Sequence, residues 1–234
     1  MSTIQFLAKL IDLVYPPNCV CCGELSETRA YLCNRCIEEL PWYRQDCDRF
    51  PHLPQPSFDR CMAVFRYEGR IPDTIQRLKT QNDKRAIRFF VRQLETLVKN
   101  QFPDETEIPR IITYVPMTAS QERERGYNHA QTVSRMLGRL LNRPVAEGIL
   151  LEREGAKTQH TLKVEQRFEN AEYSLVIGER RDLTGFSVLL IDDIVTSGAT
   201  LNRCAGLLKE MGARSVTCAA IAVTLPKSGE EEQE

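Results

Sequence analysis

Two neighbouring carboxylates, Asp192 and Asp193, end an unbroken apolar run, Val188-Leu189-Leu190-Ile191, and a hydroxyl-rich stretch, Thr196-Ser197-Gly198-Ala199-Thr200, follows. Adjacent carboxylates at the tip of a buried strand are costly unless they bind something. Leu201, Ala205, Leu207 and Leu208 then recur at helical spacing. The order is therefore strand, acidic pair, small loop, helix. Such a loop presents backbone N–H groups and hydroxyls at a helix N-terminus, where a phosphate is favoured. The carboxylates repel a phosphate but accept hydrogen bonds from sugar hydroxyls. Together they fit a ribose 5-phosphate.

A second set is made of sulfur. Cys19 and Cys22, then Cys33 and Cys36, form two C-x-x-C knuckles. A two-residue gap lets both sulfurs of a knuckle reach one ion, and two knuckles complete a tetrahedral Cys₄ zinc site. With no open coordination position, that zinc is structural. Cys21 is an alternative ligand to its neighbours. Cys47, His52 and Cys61 are too few and too loosely spaced for a second site.

These groups need a scaffold. Met62–Tyr67, Arg110–Val115, Gly148–Leu151, Val176-Ile177 and Val216–Val223 read as strands. Ile71–Lys79, Arg85–Lys99 and His129–Leu141 read as helices with one apolar face each. Alternation of strands and helices predicts an α/β fold with a mainly parallel sheet. Met117–Asn128 reads as a hydrophilic loop carrying Arg123 and Arg125, guanidinium groups suited to a diphosphate and able to face the 192–200 loop across the strand C-termini. The polar segment from Glu152 to Asn170, with Lys157, Thr158 and Gln159, reads as a surface loop or a lid. An amphipathic helix is expected over Ile4–Val14, a Pro-rich linker over Leu40–Phe58, and a disordered tail over 226–234. The division is thus 1–58, 59–225 and 226–234.

The 234 residues carry 31 basic and 32 acidic side chains, so global charge selects no partner. Locally, Arg77, Lys79, Lys84, Arg85, Arg88 and Arg92 stand against Asp83 alone. That run is a solvated helix face, a pyrophosphate contact near Lys79, or a nucleic-acid footprint. No apolar run approaches the ~20 residues needed to span a bilayer. Met1–Leu10 lacks a basic n-region, so no secretory signal is expected. Nine cysteines, mostly in short-range pairs, indicate metal or thiol usage in a reducing compartment.

The run D-D-I-V-T-S-G-A-T-L, Asp192 to Leu201, resembles the signature for phosphoribosyl pyrophosphate (PRPP) of type I phosphoribosyltransferases. The cysteine knuckles, Leu40-Pro41-Trp42, Tyr67-Glu68-Gly69, Leu78-Lys79, Val115-Pro116, Arg123–Asn128 and Thr158–Asn170 extend the likeness to the competence protein F (ComF/GntX-like) family. The resemblance implies a type I phosphoribosyltransferase-like parallel sheet flanked by helices, with a small N-terminal zinc module. It implies that Asp192 and Asp193 hold the ribose hydroxyls and that Thr196, Ser197, Gly198, Ala199 and Thr200 cradle the 5′-phosphate. It implies a role in DNA uptake in the bacterial cytoplasm, with single-stranded DNA or DNA-uptake proteins as partners. Mg²⁺ would arrive with PRPP, held by diphosphate, ribose hydroxyls and water rather than by a protein cage. Many members carry further knuckles after L-P-W; here only Cys47 and Cys61 remain. Thr196 stands where purine-salvage enzymes have a general-base Asp, which disfavours that chemistry. Two functions stay open: transfer at ribose C1 with loss of pyrophosphate, or a non-catalytic PRPP-gated binding module. Replacing both Asp192 and Asp193 by Asn is expected to lose most of the stabilisation by PRPP without destabilising the ligand-free protein.

Overall fold

The computed structural model describes residues 18–26, 30–47, 50, 52–53, 55–81, 83–153 and 164–225, and for 164–165 the backbone only. The expected N-terminal helix, the Lys157-Thr158-Gln159 stretch and the tail lie outside the described residues.

The apolar run becomes the middle of strand β6, Ser187–Val195. It pairs in parallel with β7, Ser215–Val223, on one side and with β3, Ile111–Tyr114, on the other. Its side chains alternate between two cores. Leu189 and Ile191 join one apolar cluster, and Val188, Leu190 and Val195 join the other. A strand covered on both faces has no polar side to show, which is why the sequence there is continuous rather than alternating. β7 also pairs in parallel with β2, Arg60–Arg66. With β1, Trp42–Asp46, at one edge, the main sheet runs β1-β2-β7-β6-β3.

The first cluster is closed by helices α2, Ile71–Gln81, α3, Lys84–Gln101, and α5, His129–Leu141. The expected face of α3, Ile87, Phe90, Val91, Leu94, Leu97 and Val98, is buried, together with Phe89. On α5, Val133, Leu137 and Leu141 are buried as expected, while Met136 and Leu140 lie half-buried at the margin. The second cluster is closed by α7, Ala199–Glu210. The N-terminal module, with helix α1, Asn34–Glu39, packs Val20, Leu32 and Leu40 into the first cluster.

Five local readings differ from expectation. Trp42–Asp46, expected as linker, is strand β1, an antiparallel edge of the main sheet. Its Trp42 ring stacks on Phe65 with centroids 4.7 Å apart, and the surrounding prolines hid that contact. Helix α4, Ala119–Arg125, occupies the expected 117–128 loop. Thr118 and Gln121 form a reciprocal capping box that starts it, and Gly126 ends it in a left-handed conformation. Part of the expected polar loop is helix α6, Val164–Ser174. The expected third strand, now β4, Leu150–Glu152, pairs not with the main sheet but antiparallel with β5, Leu175–Ile177. Finally, β6 does not stop at Ile191. Its pairing continues through Asp192↔Ala220 to Val195↔Val223, so both carboxylates belong to the strand.

Candidate functional site

The C-terminal end of β6 opens into a cavity of about 270 Å³. In parallel sheets this edge is where ligands gather. Asp192, Asp193, Thr196, Gly198, Ala199, Thr200, Lys79 and Arg125 all line it. Ser197 lies in the same loop without lining the cavity, and its Oγ accepts from the Ala199 N–H at 3.5 Å. Arg123 is exposed and outside the cavity, with its Nε donating to the Ala119 carbonyl at 3.2 Å. The two arginines were expected together. On a helix, residues two apart point to different sides, so α4 separates them.

The loop after β6 delivers α7 in an unusual way. Helices α3, α4 and α5 each begin with a side-chain cap, from Asp83, Thr118 and Asn128. α7 begins at Gly198 with no side-chain cap. The first-turn N–H groups of a helix have no intrahelical acceptor and carry its positive dipole end. Here they border the cavity. Gly198 has φ of +79°, and a Cβ built on it would lie 2.8 Å from Cδ1 of Phe50. Gly198→Ala is therefore expected to lower stability by about 1–2 kcal/mol, a loss that urea denaturation measures; an unchanged midpoint would mean the loop relaxes freely.

The acidic pair is not symmetric. Asp193 Oδ2 lies 2.7 Å from Lys79 Nζ and 2.8 Å from His129 Nε2. Asp192 Oδ1 accepts from the Asp193 N–H at 2.8 Å. Burial, then the charge of Asp193, pushes the Asp192 carboxyl well above the usual carboxylate range. Burial acts the same way on Asp193, but the His129 hydrogen bond and the Lys79 charge overcome it and hold Asp193 well below that range. The two carboxyls are thus driven in opposite directions, Asp193 toward ionisation and Asp192 away from it.

His129 was missed by sequence reasoning, since it belongs to no recognisable motif and reads only as the first residue of a helix. Gln121 and Glu152 also line the cavity and were not singled out, and so do Tyr67 and Arg167, which lie in segments that carry the family likeness but were assigned no role. The basic run has resolved into separate duties. Lys79 faces Asp193; Arg77 donates to the carbonyls of Val20 and Cys21; Arg85 donates to that of Ala30 at 2.5 Å; Arg92 pairs with Glu95. Two of the six therefore fasten the cysteine module to α2 and α3.

In that module the sulfurs of Cys19, Cys22, Cys33 and Cys36 all lie within 4.8 Å of one another, and Cys22 and Cys33 are 3.6 Å apart. A tetrahedral ion with Zn–S bonds of about 2.3 Å sets neighbouring sulfurs about 3.8 Å apart, so the donor set fits zinc. Cys21 is outside the group. Its buried thiol sits beside the Thr74 hydroxyl instead, so the sulfur geometry does not make it the alternative ligand. Cys47 and Cys61 are buried side by side across β1 and β2, with the Cys47 N–H donating to the Cys61 carbonyl at 2.8 Å. His52 is exposed. Among the described residues there is one metal-type cluster.

Residues 151–234 match the family model for the phosphoribosyl transferase domain, and residues 10–63 match that for the double zinc ribbon domain. Competence protein F of Haemophilus influenzae is 29% identical over 203 residues, 85% of this chain and 88% of that protein. Competence protein ComFC of Bacillus subtilis is 25% identical over 150 residues, 64% of this chain and 58% of that one. The DNA utilization protein YhgH of Escherichia coli is 24% identical over 208 residues, 88% and 90%. Among solved structures, the purine phosphoribosyltransferase of Pyrococcus horikoshii matches with a TM-score of 0.38 at 17% identity, covering 58% of this chain and 74% of that one. With a zinc-ribbon match in front of a phosphoribosyl transferase match, and relatives of this kind along most of its length, the chain is similar to competence protein F-type proteins that carry a phosphoribosyltransferase-like domain.

Proposed function

We propose that this chain binds PRPP, as its Mg²⁺ complex, in the cavity at the end of β6. The observation that carries the reading is the pairing, in one cavity, of two strand-borne carboxylates with the uncapped start of α7. Carboxylates suit ribose hydroxyls, and the N–H groups at a helix start suit a 5′-phosphate. Lys79 and Arg125 add positive charge for the diphosphate. At about 270 Å³ the cavity falls just under the ~300–1,000 Å³ of sites for drug-sized ligands, a size for a sugar phosphate. The test is a thermal melt with PRPP and Mg²⁺. At 100 times its dissociation constant a ligand adds about 2.7 kcal/mol to stability, so the melting temperature rises by several degrees. No rise with PRPP or ribose 5-phosphate at millimolar concentration would contradict the reading.

A second reading, of a PRPP-gated module without turnover, is favoured by the residue at 196. Thr196 is exposed at the cavity and, being a threonine, takes no proton at neutral pH. Release of pyrophosphate from PRPP in a screen of nucleophilic acceptors would decide for transfer.

The names of the relatives point to DNA, and we assign single-stranded DNA as the partner class. Within the basic run, Lys84 and Arg88 are exposed and make no ion pair among the described residues. Charge reversal at both is expected to weaken DNA binding at least tenfold and to flatten its salt dependence. Unchanged affinity would make the run a solvated face. Arg85 is a poor choice for that test, because its loss also removes a tie between α3 and the cysteine module at the Ala30 carbonyl.

The free cysteines support, in this reading, a reducing compartment such as the bacterial cytoplasm. No helix among the described residues is long and apolar enough to cross a membrane.

A further inference from the structure

Asp193 has two cationic-type partners on one oxygen, and the two are built differently. His129 is the first residue of α5, and its backbone is fixed by the Asn128 cap, whose side chain accepts from the Gln131 N–H at 3.0 Å. Its ring is buried, and its Nδ1 makes no hydrogen bond among the described residues. The contact to Asp193 is therefore the ring's one polar contact there. Since an ionised carboxylate only accepts, Nε2 is the donor in this contact. Lys79 reaches the same oxygen from α2 on a flexible four-carbon stem, with three donors on its ammonium and one end of the cavity before it.

We propose that His129 is the fixed partner of Asp193 and Lys79 the exchangeable one. His129 is a positioning residue for the ribose-binding carboxylate, and Lys79 leaves Asp193 for the diphosphate when ligand enters. The proposal rests on the PRPP reading above. A diphosphate offers several anionic oxygens to an ammonium that now has one carboxylate oxygen. If Lys79 were the only partner, its departure would leave Asp193 buried and unpaired, and it would take up a proton and lose its strength as an acceptor. The imidazole N–H stays in place and keeps Asp193 ionised and aimed while Lys79 moves.

The experiment compares dissociation constants for PRPP with Mg²⁺ and for ribose 5-phosphate, measured on the full chain. His129→Ala should weaken both ligands by about tenfold or more and leave their ratio unchanged, because both present the same ribose. Lys79→Met should weaken PRPP at least tenfold more than ribose 5-phosphate. His129→Gln should bind much more tightly than His129→Asn, since the Gln amide N–H reaches where Nε2 stands and the Asn amide reaches only Nδ1. That order is the readout a purely structural role would not give, and it decides the matter if His129→Ala melts early. Wild-type affinity in His129→Ala, equal affinities in the Gln and Asn variants, or an equal loss of both ligands in Lys79→Met would overturn the proposal. Failure of the wild type to bind either ligand would instead overturn the PRPP reading itself.

Discussion

Asp193→Asn lowers the stability of the ligand-free protein at neutral pH by about 3 kcal/mol, whereas Asp192→Asn leaves it unchanged or higher. Breaking a buried ion pair from one side strands the other charge, at a cost of about 3–5 kcal/mol. Lys79 is 15% exposed, so the loss sits at the lower end. The sequence alone predicts that removing both charges leaves the ligand-free protein no less stable, whereas the Lys79 and His129 contacts of Asp193 predict a loss at that residue. The pH dependence separates them further. Asp193 has a folded pKa below its unfolded value, so its contribution is full above about pH 4 and fades as pH falls through the lowered value. The deficit of Asp193→Asn therefore shrinks in acid. Asp192 has a folded pKa above its unfolded value, so its ionisation penalises the fold as pH rises from about 4 through the raised value. The advantage of Asp192→Asn appears toward neutral pH and vanishes in acid. Urea denaturation of both variants between pH 3 and 8 reads this directly. Equal losses in the two would contradict the asymmetry.

Removing the metal has the second large effect. Structural zinc supplies about 10–16 kcal/mol of apparent binding free energy in small zinc peptides, and this module has too little apolar core to hold its shape alone. A strong chelator, or Cys33→Ser with Cys36→Ser, is expected to unfold it. The damage should spread, because Val20, Leu32 and Leu40 share a cluster with Phe65 and Phe89, and because Arg77 and Arg85 would lose their carbonyl acceptors. Wild type should carry about one zinc per chain by metal analysis, and the double variant should lose it, melt at lower temperature and bind a hydrophobic dye. Undiminished zinc in the variant would sink the assignment of these four sulfurs.

How far the sequence reveals this depends on whether the signal is local. The β6 run, the loop after it, the cysteine knuckles and the faces of α3 and α5 are legible because their period or spacing is contained in the segment itself. β1 was not, since Trp42 makes a strand only by pairing with residues 60–66, and prolines nearby argue for a loop. α4 was legible in principle. Thr118-Ala-Ser-Gln121 has the form of a capping box, but the charged residues after it carry no apolar face, so hydrophobic period is silent. The same short helix decides between Arg123 and Arg125, which composition cannot distinguish. Charge counting overstated the 77–92 run, because partners such as Val20 and Ala30 are backbone carbonyls far away in the chain. His129 is the clearest case. Its importance lies in a 2.8 Å approach to a residue 64 positions on, and no local pattern encodes that.

The central claim is that the β6 cavity takes PRPP through its carboxylates, and calorimetric titration of PRPP with Mg²⁺ into wild type and Asp192→Asn tests it most directly. Asp192→Asn is the decisive variant because its ligand-free fold is expected to be intact, so a loss of binding cannot be blamed on unfolding. An amide accepts more weakly than a carboxylate and presents a donor in place of an acceptor. The account predicts saturable binding to wild type with one site per chain, and at least tenfold weaker binding to the variant. Equal affinity in the two proteins, or no heat with wild type at millimolar PRPP, would contradict it.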